Sequence, residues 1–221
     1  MTTIAIVGAG TGLGAAVARR FAREGFAVAA ISRHQDRVDA LAEQLRSEGI
    51  QAQGFAADVR DPASLVRALE AATTALGTIE VLQYSPLPQK EFLRPVLELT
   101  TADATAAIEF SVLGPITAVH HVLPGMRFLG RGTIVFVNGG TAVQPRADFA
   151  GTSISFAGQS ALGQALHDQL RNENIHVGQL VIPGSITAGH PDKDPEVLAE
   201  KVWTIHEQRG EYRTFASTWD A

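Results

Sequence analysis

The sequence predicts an α/β domain: a doubly wound parallel sheet with helices on both faces. Three observations predict it. Short continuous apolar runs, suited to strands buried on both faces, alternate with stretches whose apolar residues recur at i, i+3, i+4 and i+7. Glycines and Asp-Pro pairs punctuate the changes from one period to the other. A glycine-dense turn joins the first run to the first helical stretch. Strand, helix, strand at this spacing means βαβ units with right-handed crossovers.

Thr3 to Val7 is the first strand, and Leu13, Ala16, Val17, Arg20 and Phe21 form the face of the first helix, which Gly25 ends. Ala27 to Ile31 is the second strand. Val38, Leu41, Ala42 and Leu45 line the second helix, closed by Gly49. Gln53 to Ala57 is a third strand leading into Asp58-Val59. Asp61 caps the next helix with Pro62 at its first position, and Leu65, Val66, Leu69 and Leu76 supply its buried stripe before Gly77. Ile79 to Tyr84 is the fourth strand. A long helix from about Ala102 to Val122 precedes a fifth strand, Thr133 to Val137. A helix from about Ser153 to Arg171 precedes a sixth, Val177 to Ile182. Asp194-Pro195 opens a last helix with Val197, Leu198, Val202 and Ile205 on one face, and Tyr212 to Phe215 forms a short final strand. No repeat, linker or composition shift divides residues 1–221 into a second domain.

Composition narrows the function. With 18 basic and 23 acidic side chains the net charge is −5, which lacks the basic excess that nucleic-acid binding needs. Hydrophobic residues make up 45% and charged residues 19%, a globular balance. Without cysteine there is no disulfide framework, thiolate metal site or cysteine nucleophile. The seven histidines show no metal spacing; His120 and His121 are adjacent and point to different sides of a helix. The start of the chain lacks the basic segment of a signal peptide, and the later apolar runs are broken by Gly, Pro or charge. The expectation is a soluble cytoplasmic protein with no membrane partner.

The turn after the first strand reads Gly8-Ala9-Gly10-Thr11-Gly12-Leu13-Gly14. Glycines there let the backbone turn sharply and approach a pyrophosphate, whose charge faces a helix N-terminus. A ligand-free turn is the alternative, but four glycines in seven residues cost conformational entropy that an ordinary turn does not require. At the end of the second strand an NAD-selective site places Asp or Glu, whereas this chain has Ser32-Arg33-His34 and no carboxylate before Asp36. Arg33 can pair with a 2′-phosphate through a forked contact, with the Ser32 hydroxyl beside it, so NADP(H) is expected over NAD(H). A solvated loop arginine is the other reading.

These residues resemble the short-chain dehydrogenase/reductase family over nearly the whole chain. Gly8, Gly12 and Gly14 match its GxxxGxG spacing. Asp58-Val59 matches its Asp-Val pair at the adenine, and Pro183-Gly184 its PG motif, with Ile186 and Thr187 near the nicotinamide carboxamide. The resemblance implies a Rossmann-like NAD(P)-binding domain with sheet order 3-2-1-4-5-6-7. It also implies cofactor contacts from Thr11 and Leu13 in the loop and Ser85 after the fourth strand. The helices around Ser111 to Val122 and Ser153 to Leu170 match those that pair subunits in family homodimers and homotetramers, though their small-residue faces also suit an ordinary core.

The catalytic half departs from the family pattern. The family's Asn-Asn-Ala-Gly becomes Tyr84-Ser85-Pro86-Leu87, its helix asparagine becomes Ser111, and its Ser-Ser becomes Asn138-Gly139-Gly140-Thr141. Aligning Ala161-Leu162 puts Ser155 at the tyrosine and Gln159 at the lysine of Tyr-x-x-x-Lys. The only tyrosines are Tyr84 and Tyr212, and no lysine lies between Lys90 and Lys193. A serine hydroxyl is far too weak an acid to replace a lysine-activated tyrosine, and Gln159 can hydrogen-bond a ribose but carries no charge. Candidate substitutes are Tyr84 as a relocated acid or as a packing tyrosine, and Thr141, Ser153 and Ser155 as substrate ligands or as caps. His190, in the segment where the family folds a lid, is a general acid or a loop histidine. The short stretch from Gly184 to Asp194 predicts an open cleft. The expected function is an NADP(H)-dependent oxidoreductase of divergent short-chain type acting on a small carbonyl or alcohol by a non-standard mechanism. A non-catalytic NADP(H)-binding sensor or inactive subunit is the alternative, and a scaffold with an empty cleft comes last.

Overall fold

Strands that are apolar on both sides need cover above and below, and this chain supplies it by crossing through a helix after almost every strand. The computed structural model describes residues 2–218. Its strands are β1 (Thr3–Val7), β2 (Ala27–Ser32), β3 (Ala52–Ala56), β4 (Ile79–Tyr84), β5 (Gly132–Gly139), β6 (Ile175–Ile182) and β7 (Arg213–Phe215). They form one seven-stranded sheet ordered β3-β2-β1-β4-β5-β6-β7, parallel at every pairing. The fold class and strand order expected from the sequence are those observed.

The helices are α1 (Leu13–Ala22), α2 (Gln35–Ser47), α3 (Pro62–Leu76), α4 (Thr101–Ile108), α5 (Gly114–Leu129), α6 (Ala150–Leu170) and α7 (Pro195–Gln208). The buried faces of α1, α2 and α7 pack with Ile4, Ile6, Val28, Val81 and Leu180 on one side of the sheet. On the other side α3, α4, α5 and α6 pack with Val7, Ile31, Leu82, Tyr84 and Phe136. Edge-to-face contacts among Phe21, Phe26 and Trp203 join α1 to α7, and the Arg20 guanidinium lies 4.3 Å from the Trp203 ring centroid.

Three elements run longer than expected. β5 and β6 extend at their ends, where Asn138 and His176 are buried polar residues rather than boundary markers. The helix expected over Ala102 to Val122 runs instead from Thr101 to Leu129, because a π-helical turn, Glu109–Leu113, carries α4 into α5 and Pro124 sits within α5. By length and composition alone this 29-residue path is apolar enough to cross a membrane, although Gly114, Pro115, Pro124 and Gly125 interrupt its apolar runs. Its inner residues Ala107, Phe110, Ala118, Val119, Val122 and Met126 pack into the core.

Candidate functional site

Strand order reverses between β1 and β4, and a crevice opens beyond the C-terminal ends of strands at such a point. Val7 stands beside Ile31 on one side and Tyr84 on the other, so the glycine turn leaves the sheet at that crevice. Gly8 and Ala9 both donate to the Ile31 carbonyl, at 2.8 and 3.0 Å. Gly8 has φ of +93°, and a Cβ there would strike the Ser85–Pro86 backbone. A Cβ at Gly14 would fall 3.0 Å from Ala9 Cα, whereas Gly10 and Gly12 have nothing within 4 Å of that position. Two glycines are thus forced by close packing, and two leave open space. The N-terminus of α1 has neither a side-chain cap nor an acid in its first turn. An uncapped helix start facing open backbone fits the pyrophosphate of a dinucleotide. Thr11 is exposed there, and Leu13 is buried beneath the loop.

At the β2 end, Ser32 is half-buried and Arg33 exposed, with His34 and Arg37 exposed close by in sequence. Arg33 enters no ion pair among the described residues, so its guanidinium is available to an anion. Asp58 is exposed and accepts from the Arg60 amide at 3.0 Å, while Val59 is 5% exposed. Arg60 donates to one Glu109 oxygen from Nε and Nη2, at 3.0 and 2.8 Å, which ties this wall to the π turn.

At the other end Pro183 is half-buried and Gly184 takes φ of +76°. Ile186 is 41% exposed, and the Thr187 hydroxyl donates weakly to the Ser185 carbonyl at 3.4 Å. The following loop is bonded to itself. Thr187 N–H donates to the Lys193 carbonyl at 3.0 Å, and Gly189 N–H to Asp194 at 2.6 Å. His190 Nδ1 accepts from the amides of Asp192 and Lys193 at 3.0 and 3.2 Å, which ties the ring to its own loop.

Tyr84 requires a correction. Its ring is 1% exposed, and its hydroxyl donates to the Phe110 carbonyl at 2.6 Å. Burial, and secondarily the charge of Asp58, raise its pKa well above the ordinary tyrosine value. A phenol so placed packs the core and does not reach the crevice as an acid. Tyr212 is also buried, donates to the Ser160 carbonyl at 3.0 Å, and is pushed up to about 12, chiefly by burial.

Ser155 and Ser111 are 0% and 1% exposed, and both hydroxyls are buried without a hydrogen-bond partner among the described residues. Gln159, 2% exposed, is committed at both ends of its amide. Nε2 donates to the Ser111 carbonyl at 2.7 Å, and Oε1 accepts from Asn138 Nδ2 at 2.5 Å. This corrects the expectation of a ribose contact from Gln159, because its polar atoms face inward. Ser153 bonds the backbone of Arg146 and Phe149 and so acts as a turn cap, whereas Thr141 is 8% exposed. Ser85 accepts from Gln83 Nε2 at 2.8 Å and its amide donates to the Val7 carbonyl at 2.8 Å.

Sequence reading missed the line of amides behind these positions. Gln179 Nε2 donates to Asn138 Oδ1 at 2.8 Å, Asn138 donates to Gln159, and Gln159 donates to the Ser111 carbonyl in the π turn. Each amide donates onward in one direction, an arrangement in which neighbouring bonds polarise one another. The signal was a polar residue inside an apolar strand, Gln179 in β6 and Asn138 in β5, since a buried amide needs partners.

The short chain dehydrogenase family profile matches residues 2–196. The chain is 31% identical over 182 residues to 2,3-dihydro-2,3-dihydroxybenzoate dehydrogenase of Bacillus subtilis (strain 168), covering 81% of this chain and 68% of that protein. It is 29% identical over 184 residues to dehydrogenase/reductase SDR family member 4 of Homo sapiens, covering 83% and 66%. The chain thus spans about two thirds of the length of these relatives. Among solved structures, a short-chain dehydrogenase from Rhodopseudomonas palustris superposes with a TM-score of 0.86 at 24% identity, covering 99% of both chains. A metagenomic short-chain oxidoreductase in complex with NADP gives 0.82 at 22% identity, covering 97% of this chain and 95% of that one. The chain belongs to the short-chain dehydrogenase family.

Proposed function

We propose that the protein is an NADP(H)-dependent oxidoreductase of divergent short-chain type, acting on a small carbonyl or alcohol without the family's Tyr-x-x-x-Lys pair. The observation that carries the cofactor half is the glycine turn, with Gly10 and Gly12 open and Gly8 and Gly14 packed at an uncapped helix start. Arg33, exposed and unpaired, supports the 2′-phosphate and hence NADP(H) over NAD(H). A bound nicotinamide supplies or accepts hydride. The chain's own part is to hold the diphosphate on the α1 amides, flank the adenine with Asp58 and Val59, and meet the carboxamide with Ile186 and Thr187. The superposed metagenomic oxidoreductase is in complex with NADP, which agrees with this reading.

A specific observation favours a second reading, a non-catalytic NADP(H)-binding sensor or inactive subunit. Both phenols are bonded to main-chain carbonyls, Ser155 is fully buried, and Gln159 is turned inward. No phenolic proton donor then serves the crevice, and the unassisted reaction is slow. We also infer pairing of copies through the π turn with α5 and through α6, where Leu113 and Ile154 stand 48% and 49% exposed. Fluorescence titration with NADPH and NADH, followed by a reductase screen on the same sample, tests both readings. Binding with turnover supports the first, binding without turnover the second, and no binding overturns both.

A further inference from the structure

Arg213 on the edge strand β7 places its guanidinium 5.7 Å from the Tyr212 ring centroid and makes two side-chain hydrogen bonds. Its Nε donates to Gln179 Oε1 at 2.9 Å, and its Nη2 to the Ser160 hydroxyl at 2.8 Å. Ser160 in turn donates to Gln179 Oε1 at 3.0 Å, and both partners are buried, Gln179 fully and Ser160 to 4% exposure. Arg213 forms no ion pair among the described residues. A guanidinium has five N–H donors, so three remain after these two bonds. Arg213, itself exposed, and Ser160 line an open surface cavity of about 420 Å³ whose other walls are Ala142, Val143, Ala157, Ala161 and Gln164. The cavity takes nothing from the glycine turn or from Arg33.

We propose that this cavity is a second ligand site, which takes a small carboxylate carrying a short apolar tail. The planar fork of a guanidinium matches a carboxylate in shape and charge. The four small aliphatic walls suit a branched hydrocarbon tail but offer nothing to a polyanion. Because Gln179 and Ser160 already fix the guanidinium, binding loses little side-chain entropy. The site also has a route inward. Arg213 donates to Gln179, and the amides continue through Asn138 and Gln159 to the Ser111 carbonyl, so a carboxylate on Arg213 alters the first donor of that line. The site is independent of whether the crevice binds NADP(H).

The test is titration of the ¹⁵N-labelled full chain with sodium isobutyrate at constant ionic strength, with isobutyramide as the neutral isostere. Expected is a saturable shift of the Arg213 Nε–H and Gln179 side-chain amide signals, with isobutyramide binding about tenfold more weakly or less. Arg213→Met, read at the Ala161 amide, should weaken isobutyrate by about tenfold or more. That change also uncovers Gln179, so Ala161→Phe serves as the second variant: it fills the cavity, leaves the Arg213 bonds intact, and should abolish saturation. Absence of saturation with the unaltered protein, equal binding of isobutyramide, or unchanged binding by Ala161→Phe overturns the proposal. Inorganic phosphate binding more tightly than isobutyrate overturns the apolar-tail assignment.

Discussion

The hydroxyl of Tyr84 donates to the Phe110 carbonyl at 2.6 Å, inside the π turn that carries α4 into α5. Space for it comes from Gly114, where a Cβ would strike that hydroxyl and come within 2.7 Å of the Val59 carbonyl. Tyr212 repeats the arrangement on α6. Its hydroxyl donates to the Ser160 carbonyl, and a Cβ at Gly163 would strike it. Both tyrosines of the chain thus bond a main-chain carbonyl in space that a neighbouring helix glycine leaves open.

Tyr84→Phe should accordingly act on stability. Removing the hydroxyl leaves the Phe110 carbonyl short of a buried donor, a loss of about 1–3 kcal/mol in urea unfolding. NADPH affinity and any turnover should be unchanged in the folded variant. A strong fall in turnover with stability intact would return Tyr84 to the mechanism.

Arg33→Ala should weaken NADPH by about 1–3 kcal/mol, the worth of a charge-assisted contact, and leave NADH nearly unaffected. The exposed guanidinium has no ion-pair partner among the described residues to lose, so the unliganded fold should keep its melting temperature. Equal affinities for the two cofactors in the unaltered protein would remove the assignment.

Gly14→Val should abolish binding of both cofactors while circular dichroism still reports an α/β protein. Even a bare Cβ at Gly14 lies 3.0 Å from Ala9 Cα, and the branched side chain pushes the turn away from its path over the crevice. Normal binding by this variant would reduce the glycine turn to a structural feature.

The strands were legible because buried parallel strands are written as near-continuous apolar runs, as in β1 and β2, whereas their order followed from the family resemblance. The glycine turn was legible too, since its spacing reflects backbone contacts that side chains forbid. The inward direction of Tyr84 and Gln159 was not. Each depends on a partner distant in sequence, Phe110 for one and Asn138 and Ser111 for the other, and on a π turn that no local pattern announces. Pro124 concealed the full length of α5 for a similar reason: local propensity marked an end, and tertiary packing of Val122 and Met126 carried the helix through it.

Two histidines should make the fold sensitive to mild acid. His176 in β6 is 7% exposed with Nε2 buried and unpartnered, and burial, aided by His167, Arg209 and His206, lowers its pKa to about 4. Burial likewise lowers His206 to about 4, against the opposing pull of Glu80, and its Nδ1 lies 2.9 Å from the Thr133 hydroxyl. Both folded values lie below the unfolded value of about 6.5, so as pH falls the unfolded chain takes up protons first. Stability is complete above that unfolded value and declines between about pH 6.5 and 4, by at most about 1.4 kcal/mol per pH unit for each histidine. Carboxylates act in a lower window. Burial opposes ionisation of Glu80, but its bonds to Arg131 at 2.8 and 3.0 Å outweigh it and lower its pKa overall. The stability from that pair is present above the unfolded carboxylate value and is lost only as pH falls through the lower folded one. Urea midpoints measured from pH 7.5 to 5 therefore isolate the histidines. They should fall steadily with pH, and His176→Gln should flatten the slope even where it lowers the midpoint at pH 7.5. A flat profile in the unaltered protein over that range would show that neither histidine is held neutral by the fold.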